Sequence, residues 1–326
     1  MQKGVLLIDG NSLGNIHNNI GKMSIGSLPT QAIIGTLKQL RREIALFSYL
    51  TPIVLWDGAS WRKLRYPEYK MNREKKETKT DIKAQALKSE WKAQSPHVQT
   101  ALKLLGISQV RAHNMEADDL GAIMTDMHVA KGNKVVLLTA DKDWIQLVGP
   151  NVMWKDAKAA SEGGNKRIMP SNFEEMTGVK DVAQFVQMKC LTGDSSDNVP
   201  GVGNIGDKGA LEFLAKYGSF EQFFNMWTLE KSVTDAEFKK LPKKFRDLVV
   251  DESKALKFSL NLELMDLRTP KRPVPQHLVI TKGEPDKAKF QRFCELLLFN
   301  SILKDLDAWI EVFPAFRQFD PIATAA

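Results

Sequence analysis

Acidic residues occupy the positions at which this sequence could do chemistry. Glu116-Ala117-Asp118-Asp119 places three carboxylates in four residues, just ahead of the apolar Leu120-Gly121-Ala122-Ile123-Met124. One or two acids in a helix's first turn complement the macrodipole. Three repel one another unless a cation sits among them, so on this segment alone a metal site and a plain helix start stand level. Asp141 and Asp143, in Thr139-Ala140-Asp141-Lys142-Asp143-Trp144, are two apart and can reach one ion. Asp194-Ser195-Ser196-Asp197 holds an i, i+3 pair on one helical face, although capping and turn formation is the commoner reason for such a segment. Asp9 and Asp57 complete a set of nine. Oxygen donors without His or Cys suit Mg²⁺, or Mn²⁺ in its place. Nine carboxylates are too many for one ion and suggest two, about 4 Å apart, the arrangement that stabilises both attacking and leaving oxygens in phosphoryl displacement.

Something must bring these carboxylates together. Val5–Ile8 runs into Asp9, Ile53–Trp56 into Asp57, and Val135–Ala140 into Asp141. Continuous β-branched and apolar runs suit strands buried on both faces. Helical stretches between them, such as Thr30–Leu50 and Pro96–Leu105, imply an α/β fold: a parallel sheet with helices on both sides. In such sheets the carboxyl ends of the strands share one edge, where ligands bind, so the three terminal aspartates should converge there. Between the second and third runs, Glu68–Ser95 has neither Pro nor Gly and is rich in helix formers. Its apolar stripe of Ile82, Ala86, Leu87 and Trp91 is thin, so this insertion is expected to pack little and to be ordered by ligand. Ala157–Asn165 reads as a flexible loop, residues 229–256 as charged helix, and the chain from about Gln291 as helix followed by an apolar-aromatic end. There is no internal repeat.

Composition narrows the class. The chain has 326 residues, 43% of them hydrophobic, enough for a substantial core. No run of about 18 apolar residues is present, so no membrane helix is expected. Val5–Ile8 is too short for a signal peptide and reads as a strand. Cys190 and Cys294 form no CxxC pair, and the five histidines show no metal-binding spacing. A reducing cytoplasm is the default location. The net charge is +7, and residues 61–92 hold eleven Lys/Arg against five Asp/Glu. That stretch suits a polyanion partner, although a solvated charged helix is the commoner cause of such a run.

Gly201-Val202-Gly203-Asn204-Ile205-Gly206 matches GxGxxG but follows Asp197-Asn198-Val199-Pro200 rather than a strand, so it is no dinucleotide fingerprint. Nor is it a P-loop, since Lys208 comes one place late and Gly209 stands where Ser or Thr should be. It reads better as a turn between two helices whose backbone N–H groups, with Lys208, grip a phosphate of a DNA strand.

Together LLIDGN (6–11), YPEYKMNR (66–73), EADD (116–119), TADKDWIQLV (139–148) and LTGDSSDNVPGVGNIGDKGA (191–210) resemble, in order and spacing over about the first 220 residues, the 5′ nucleases of bacteriophages. They also resemble the 5′-nuclease domain of bacterial DNA polymerase I and, more distantly, flap endonucleases. Trp61-Arg62-Lys63 and the lack of an attached polymerase look like the stand-alone phage enzymes. The resemblance implies a PIN-like catalytic domain over 1–178 with a helical arch at about 61–95. It also implies a helix–three-turn–helix DNA-binding module over 179–265, and leaves the packing of 266–326 open. It implies that Asp9, Asp57, Glu116 and Asp118 ligate a first metal, and that Asp119, Asp141, Asp143, Asp194 and Asp197 surround a second. It implies that Lys70 and Arg73 meet the scissile phosphate, that Tyr69 stacks on a base, and that Arg62, Gly201, Gly203, Gly206 and Lys208 contact DNA. Val202, Asn204 and Ile205 would hold a potassium ion through their carbonyls. The turn departs from the family in lacking a second GVG-like triplet and the Thr after the lysine–glycine or glutamate–lysine pair, which bears on the fine phosphate contacts. The implied activity is metal-dependent 5′–3′ exonuclease and flap-endonuclease cleavage of duplex DNA near 5′ ends, flaps or nicks in replication or repair. The enzyme would be phage-encoded and would work as a monomer in the host cytoplasm, with RNA–DNA hybrids as a further substrate and replication proteins as partners. A PIN-type ribonuclease would need neither DSSD nor the glycine turn. A non-catalytic DNA-binding scaffold would have lost carboxylates, and none is lost. A dehalogenase-type phosphatase would need a second Asp two residues after Asp9, where Asn11 stands.

Overall fold

The computed structural model describes residues 4–73, 82–227 and 235–317. Its centre is a seven-stranded sheet. In chain order the strands are β1 (Gly4–Asp9), β2 (Thr51–Trp56), β3 (Ser108–Arg111), β4 (Lys134–Thr139), β5 (Val152–Asp156), β6 (Arg167–Ile168) and β7 (Val279–Thr281). The spatial order is β7-β3-β2-β1-β4-β5-β6. The five inner strands are parallel, and β7 and β6 are antiparallel edges. β1 lies at the centre, all six of its residues buried. Its alternate side chains serve two cores: Val5 and Leu7 enter one, Leu6 and Ile8 the other. This two-sided burial explains why the parallel strands are continuous apolar runs rather than alternating ones.

Helices α1 (Gly10–Asn18), α2 (Gln31–Leu46) and α3 (Ile82–Leu104) are packed with the Leu6 face. On the Val5 face lie α4 (Ala117–Val129) and a 3₁₀ turn, Lys142–Leu147, that buries Trp144 completely. That core runs on into a helical module built from α5 (Val182–Thr192), α6 (Asp207–Tyr217), α7 (Lys243–Val250) and α8 (Glu252–Met265). Phe213, Phe220, Phe223, Phe245 and Phe258 fill its interior. Cys190 lies in this core and Cys294 in the other, both as free thiols.

The structure differs from the sequence-based expectation in two places and describes a third that the sequence left open. The insertion is not loosely packed where it is described. Residues 82–95 are continuous with 96–104 as one helix, α3, with Pro96 inside it. Trp91 stacks on Trp56 at 6.4 Å, and Gly14 admits its ring, since a Cβ there would fall 1.9 Å from it. Gln94, fully buried, donates to Asn18 Oδ1 at 2.9 Å and accepts from the Ala32 amide at 2.7 Å. Residues 74–81 of the expected arch lie outside the described residues. Within Ala157–Asn165, expected as loop, Ala157–Ser161 is a short helix capped by Asp156 and seated on buried Ala157 and Ala160. Finally, the segment after 265 returns to the sheet. β7 pairs with β3, the following α9 (Lys287–Leu296) and Leu306–Ile310 bring Phe290, Phe293 and Trp309 into the Leu6-side core, and Phe313 just beyond joins them.

Candidate active site

The three strand-end aspartates do meet at the carboxyl edge of the sheet. Asp9 caps α1, accepting from the Ser12 amide at 2.9 Å and from the Thr139 hydroxyl at 2.9 Å. Asp57 accepts from the Ala117 amide at 2.8 Å and from the Asn11 side chain at 2.6 Å. Asp141 begins the 3₁₀ turn by accepting from the Asp143 amide at 2.8 Å. Glu116, the N-cap of α4, accepts from Ser60 Oγ at 2.6 Å, and Asp118 from Trp144 Nε1 at 2.7 Å.

The charges divide into two groups. Asp9, Asp118 and Asp141 are poorly compensated. Burial and then neighbouring Asp57 push Asp9 up to about 7. Burial, with Asp141, Glu116 and Asp57 nearby, holds Asp118 well above the usual range, and burial followed by Asp143 raises Asp141 to about 6. The others have cations among them. Lys70 Nζ pairs with Glu116 and lies 3.6 Å from Asp197, which also meets Arg73. Burial works against ionisation of Glu116, but Lys70 and Arg62 outweigh it and its pKa is lowered. Lys189 Nζ bridges Asp143 and Asp194, 3.2 Å from the latter.

Asp118, Asp143, Asp194, Asp197 and Tyr69 line one narrow crevice. A neighbouring cleft of 1110 Å³ is lined by Asn11, Asp57, Glu116, Lys70, Arg73 and Trp91. Among the described residues no three carboxylates are drawn together into a ready-made ligand cage. Their chemistry nonetheless fits a divalent cation: the donors are all hard oxygens, three carboxyls are raised by burial and mutual repulsion, and lysine ammoniums link Glu116 with Asp197 and Asp143 with Asp194.

Comparison with known proteins shows the family. Residues 4–178 match the model of the 5'-3' exonuclease N-terminal resolvase-like domain, and residues 181–284 the 5'-3' exonuclease C-terminal SAM fold. The chain belongs to the 5'-3' exonuclease family. A 5'-3' exonuclease of Aquifex aeolicus is 30% identical over 86% of each chain. The thermostable DNA polymerase I of Thermus thermophilus is 29% identical over 92% of this chain, which spans 33% of that relative's length. Among solved structures, a zinc-bound bacteriophage T5 5'-exonuclease superposes with a TM-score of 0.64, 24% identity and coverage of 81% and 89% of the two chains. A T5 flap endonuclease pseudo-enzyme–product complex with DNA and metal ions gives 0.66, 22%, 94% and 99%. These two share the fold. No helix among the described residues is long and apolar enough to cross a membrane.

The structure places three of the expected site residues in the interior. Arg62, expected on DNA, is buried: its guanidinium grips Asp119 through two 2.9 Å bonds, donates to Glu116 at 3.1 Å and reaches the Leu264 carbonyl at 2.6 Å. Asp119, expected beside a metal, is consumed by that pair and by Trp61 Nε1, and is fully buried. Tyr69, expected to stack on a base, is buried, its hydroxyl 2.7 Å from Asp197 and 3.3 Å from Glu116.

The glycine turn does join two helices, α5 and α6, and begins with a two-residue ladder, Gly193–Asp194 against Val199–Pro200. Gly201 packs on the Thr192 carbonyl, where a Cβ would come within 2.4 Å. Gly203 and Asn204 have positive φ of 58° and 57°. Gly206 caps α6, whose first turn carries exposed Lys208. The side chains of Val202 and Ile205 are core, and no hydrogen bond to the carbonyls of Val202, Asn204 or Ile205 occurs among the described residues. Sequence reasoning missed Lys189, left the role of Lys244 open within a basic helical stretch, and missed Lys254. The last two lay ammoniums against Gly209 and Gly203, whose absent Cβ atoms would fall 2.7 and 2.5 Å from them. A lysine near a helix end is too ordinary to have marked any of the three.

Proposed function

We propose that the chain is a divalent-metal-dependent nuclease that hydrolyses DNA phosphodiesters near 5′ ends, as a 5′–3′ exonuclease and a flap endonuclease. One observation carries the reading: at the carboxyl edge of the sheet the cleft holding Asp57 and Glu116 adjoins the crevice holding Asp118, Asp143, Asp194 and Asp197, with Lys70 and Arg73 between them. Asp9, Asp57, Glu116 and Asp118 are the candidate ligands of one Mg²⁺, and Asp141, Asp143, Asp194 and Asp197 of a second, with Mn²⁺ as a substitute. A bound pair of such ions supplies an activated water and neutralises charge on the phosphate. Asn11 and the Ala117 amide orient Asp57, and Thr139 and Ser12 orient Asp9. Lys70 and Arg73, which pair with Glu116 and Asp197, would with metal held by those carboxylates be placed to meet charge growing on the phosphoryl oxygens. Gly201, Gly203, Gly206 and Lys208 form the duplex grip, and the carbonyls of Val202, Asn204 and Ile205 are the candidate potassium ligands. Flaps, nicks and RNA–DNA hybrids arising in replication or repair are the substrates this reading proposes.

End-labelled flap, nicked-duplex and RNA–DNA substrates, incubated with Mg²⁺ or EDTA, test the proposal. Cleavage should require the metal. Asp57→Asn should abolish most of it while DNA binding persists or tightens, because a negative charge near phosphate is gone. Near-normal turnover of that variant in Mg²⁺ would sink the assignment.

A further inference from the structure

We propose that a pocket on the flank of the sheet, away from the carboxylate cleft, is a phosphate-binding site. It lies between the last turn of α2, strands β5 and β6, and the turn Gly163-Gly164, and has a volume of 460 Å³. Its charged lining residues are Arg42, Lys155 and Arg167, against Glu43 alone. Glu43 is already committed: it is 1% exposed, pairs with Lys155, itself 3% exposed, and lies 3.4 Å from Arg42 Nε. The lining therefore keeps two positive charges in excess, the match for a phosphate dianion.

The second observation concerns Arg167. Its guanidinium lies 5.5 Å from the Phe47 ring, across which Lys155 also sits at 5.3 Å. Its Nε is buried and has no hydrogen-bond partner among the described residues. A buried guanidinium donor left unmatched beside a cavity is a donor awaiting an acceptor. Arg42, half-exposed, is held over the pocket by donating to the Ala160 carbonyl. Arg167 offers a planar fork, and Arg42, its Nε and Nη2 already committed to Glu43 and Ala160, adds charge and its remaining nitrogen; that suits a tetrahedral oxyanion better than a lone ammonium would. Gly163 keeps the rim low: its φ is +84° and nothing lies within 4 Å of where its Cβ would be.

The position suggests two sources for such a phosphate. Lys155 is in register with Leu138, and Leu138 with Ile8, so the pocket is two strands from β1 and one residue short of the edge where Asp9 stands. Two strand spacings amount to roughly 10 Å. A backbone phosphate of DNA passing the carboxylates could reach it, and so could free phosphate or a mononucleotide. The inference does not depend on the nuclease reading, because the pocket's charge and its unmatched donor stand without it.

The test is run in EDTA, on the whole chain. Thermal unfolding is followed against orthophosphate and, at matched ionic strength, chloride. Orthophosphate should raise the midpoint saturably where chloride does not. Arg167→Gln and Arg42→Gln should each weaken the phosphate response ~5-fold or more, as loss of a charge-assisted fork requires; Lys70→Ala should leave it intact. Arg42 is half-exposed, so its variant remains readable if Arg167→Gln fails to fold. Flap-DNA binding by anisotropy separates the sources. A backbone contact predicts a log–log salt slope flatter by about one unit in both variants, whereas a free-phosphate site predicts unchanged DNA binding in both variants while their orthophosphate response is still weakened. Orthophosphate acting no differently from chloride, together with unaltered DNA affinity and slope in both variants, would overturn the proposal. So would a phosphate response lost in Lys70→Ala, which would move the anion to the carboxylate cleft.

Discussion

Arg62 shows how little a residue's neighbours in sequence say about its task. It belongs to a stretch of eleven cations, any of which could have faced DNA, yet among the described ones it alone is nearly fully buried, between Asp119 and Glu116. Replacing it by Gln strands two buried carboxylates, and breaking such a pair costs about 3–5 kcal/mol. Urea unfolding of Arg62→Gln should show that loss, while the folded fraction binds duplex DNA as the parent does; a variant of parental stability with weakened DNA binding would restore Arg62 to the DNA surface. Lys70 is the opposite case. It is tied to Glu116 and Asp197 in a backbone conformation with φ +59°, fixed by its amide donating to the Asp197 carbonyl at 2.8 Å. Lys70→Ala should lower single-turnover cleavage by about 10²-fold, the scale of one electrostatic stabiliser, with little change in affinity. A weaker complex that still cuts at the parent's saturated rate would rule the catalytic role out. The carboxylates themselves were legible because each stands in a short motif at a strand or helix end. Which of them receive a protein cation was not, since Arg62, Lys70 and Lys189 reach partners 54, 46 and 46 residues away.

At the scale of elements, legibility followed length. Strands β1, β2 and β4 have six residues each and could be read as apolar runs. β6 and β7, with two and three residues, carry too few positions for any pattern, and β7 is more than 160 residues from its partner β3 in sequence. The helix through Pro96 was split at the proline because a proline usually marks a boundary; here Trp91 and Gln94, seated on α1 and α2, hold the preceding turns in place. The glycine turn was legible as a turn, but the lysines laid across it come from α7 and α8, 35 and 51 residues beyond the glycines they meet. If the turn grips a DNA backbone, Lys208→Ala should flatten the log–log salt dependence of duplex binding by roughly one unit. Lys254→Ala should add a comparable decrement, and an unchanged slope in both would place the grip elsewhere.

For the whole molecule, the decisive feature is that the C-terminal segment completes the catalytic half. Phe290 is fully buried beside Trp309 and Phe293, so Phe290→Ala should cost about 3–5 kcal/mol. A denaturant midpoint within error of the parent would show that this segment is dispensable. Metal binding is global in the same sense. Cations that relieve the crowding of Asp9, Asp118 and Asp141 bind only where the fold assembles these residues. Mg²⁺ at 100 times its dissociation constant should therefore stabilise the chain by about 2.7 kcal/mol. Asp118→Asn should need more Mg²⁺ for the same gain, read as a shift in thermal midpoint against metal concentration; no Mg²⁺-dependent shift in the parent would argue against the site.

The two cysteines turn this architecture into a clock. Cys190 is sealed in the core shared with the helical module and Cys294 in the core completed by the C-terminal helices. Burial raises both thiols, Cys294 to about 12, so neither offers thiolate to a reagent while the protein is folded. A maleimide can label each only when its own core opens. Equal labelling rates would mean that the two faces of the sheet come apart in one event, and unequal rates would give the order in which they fail.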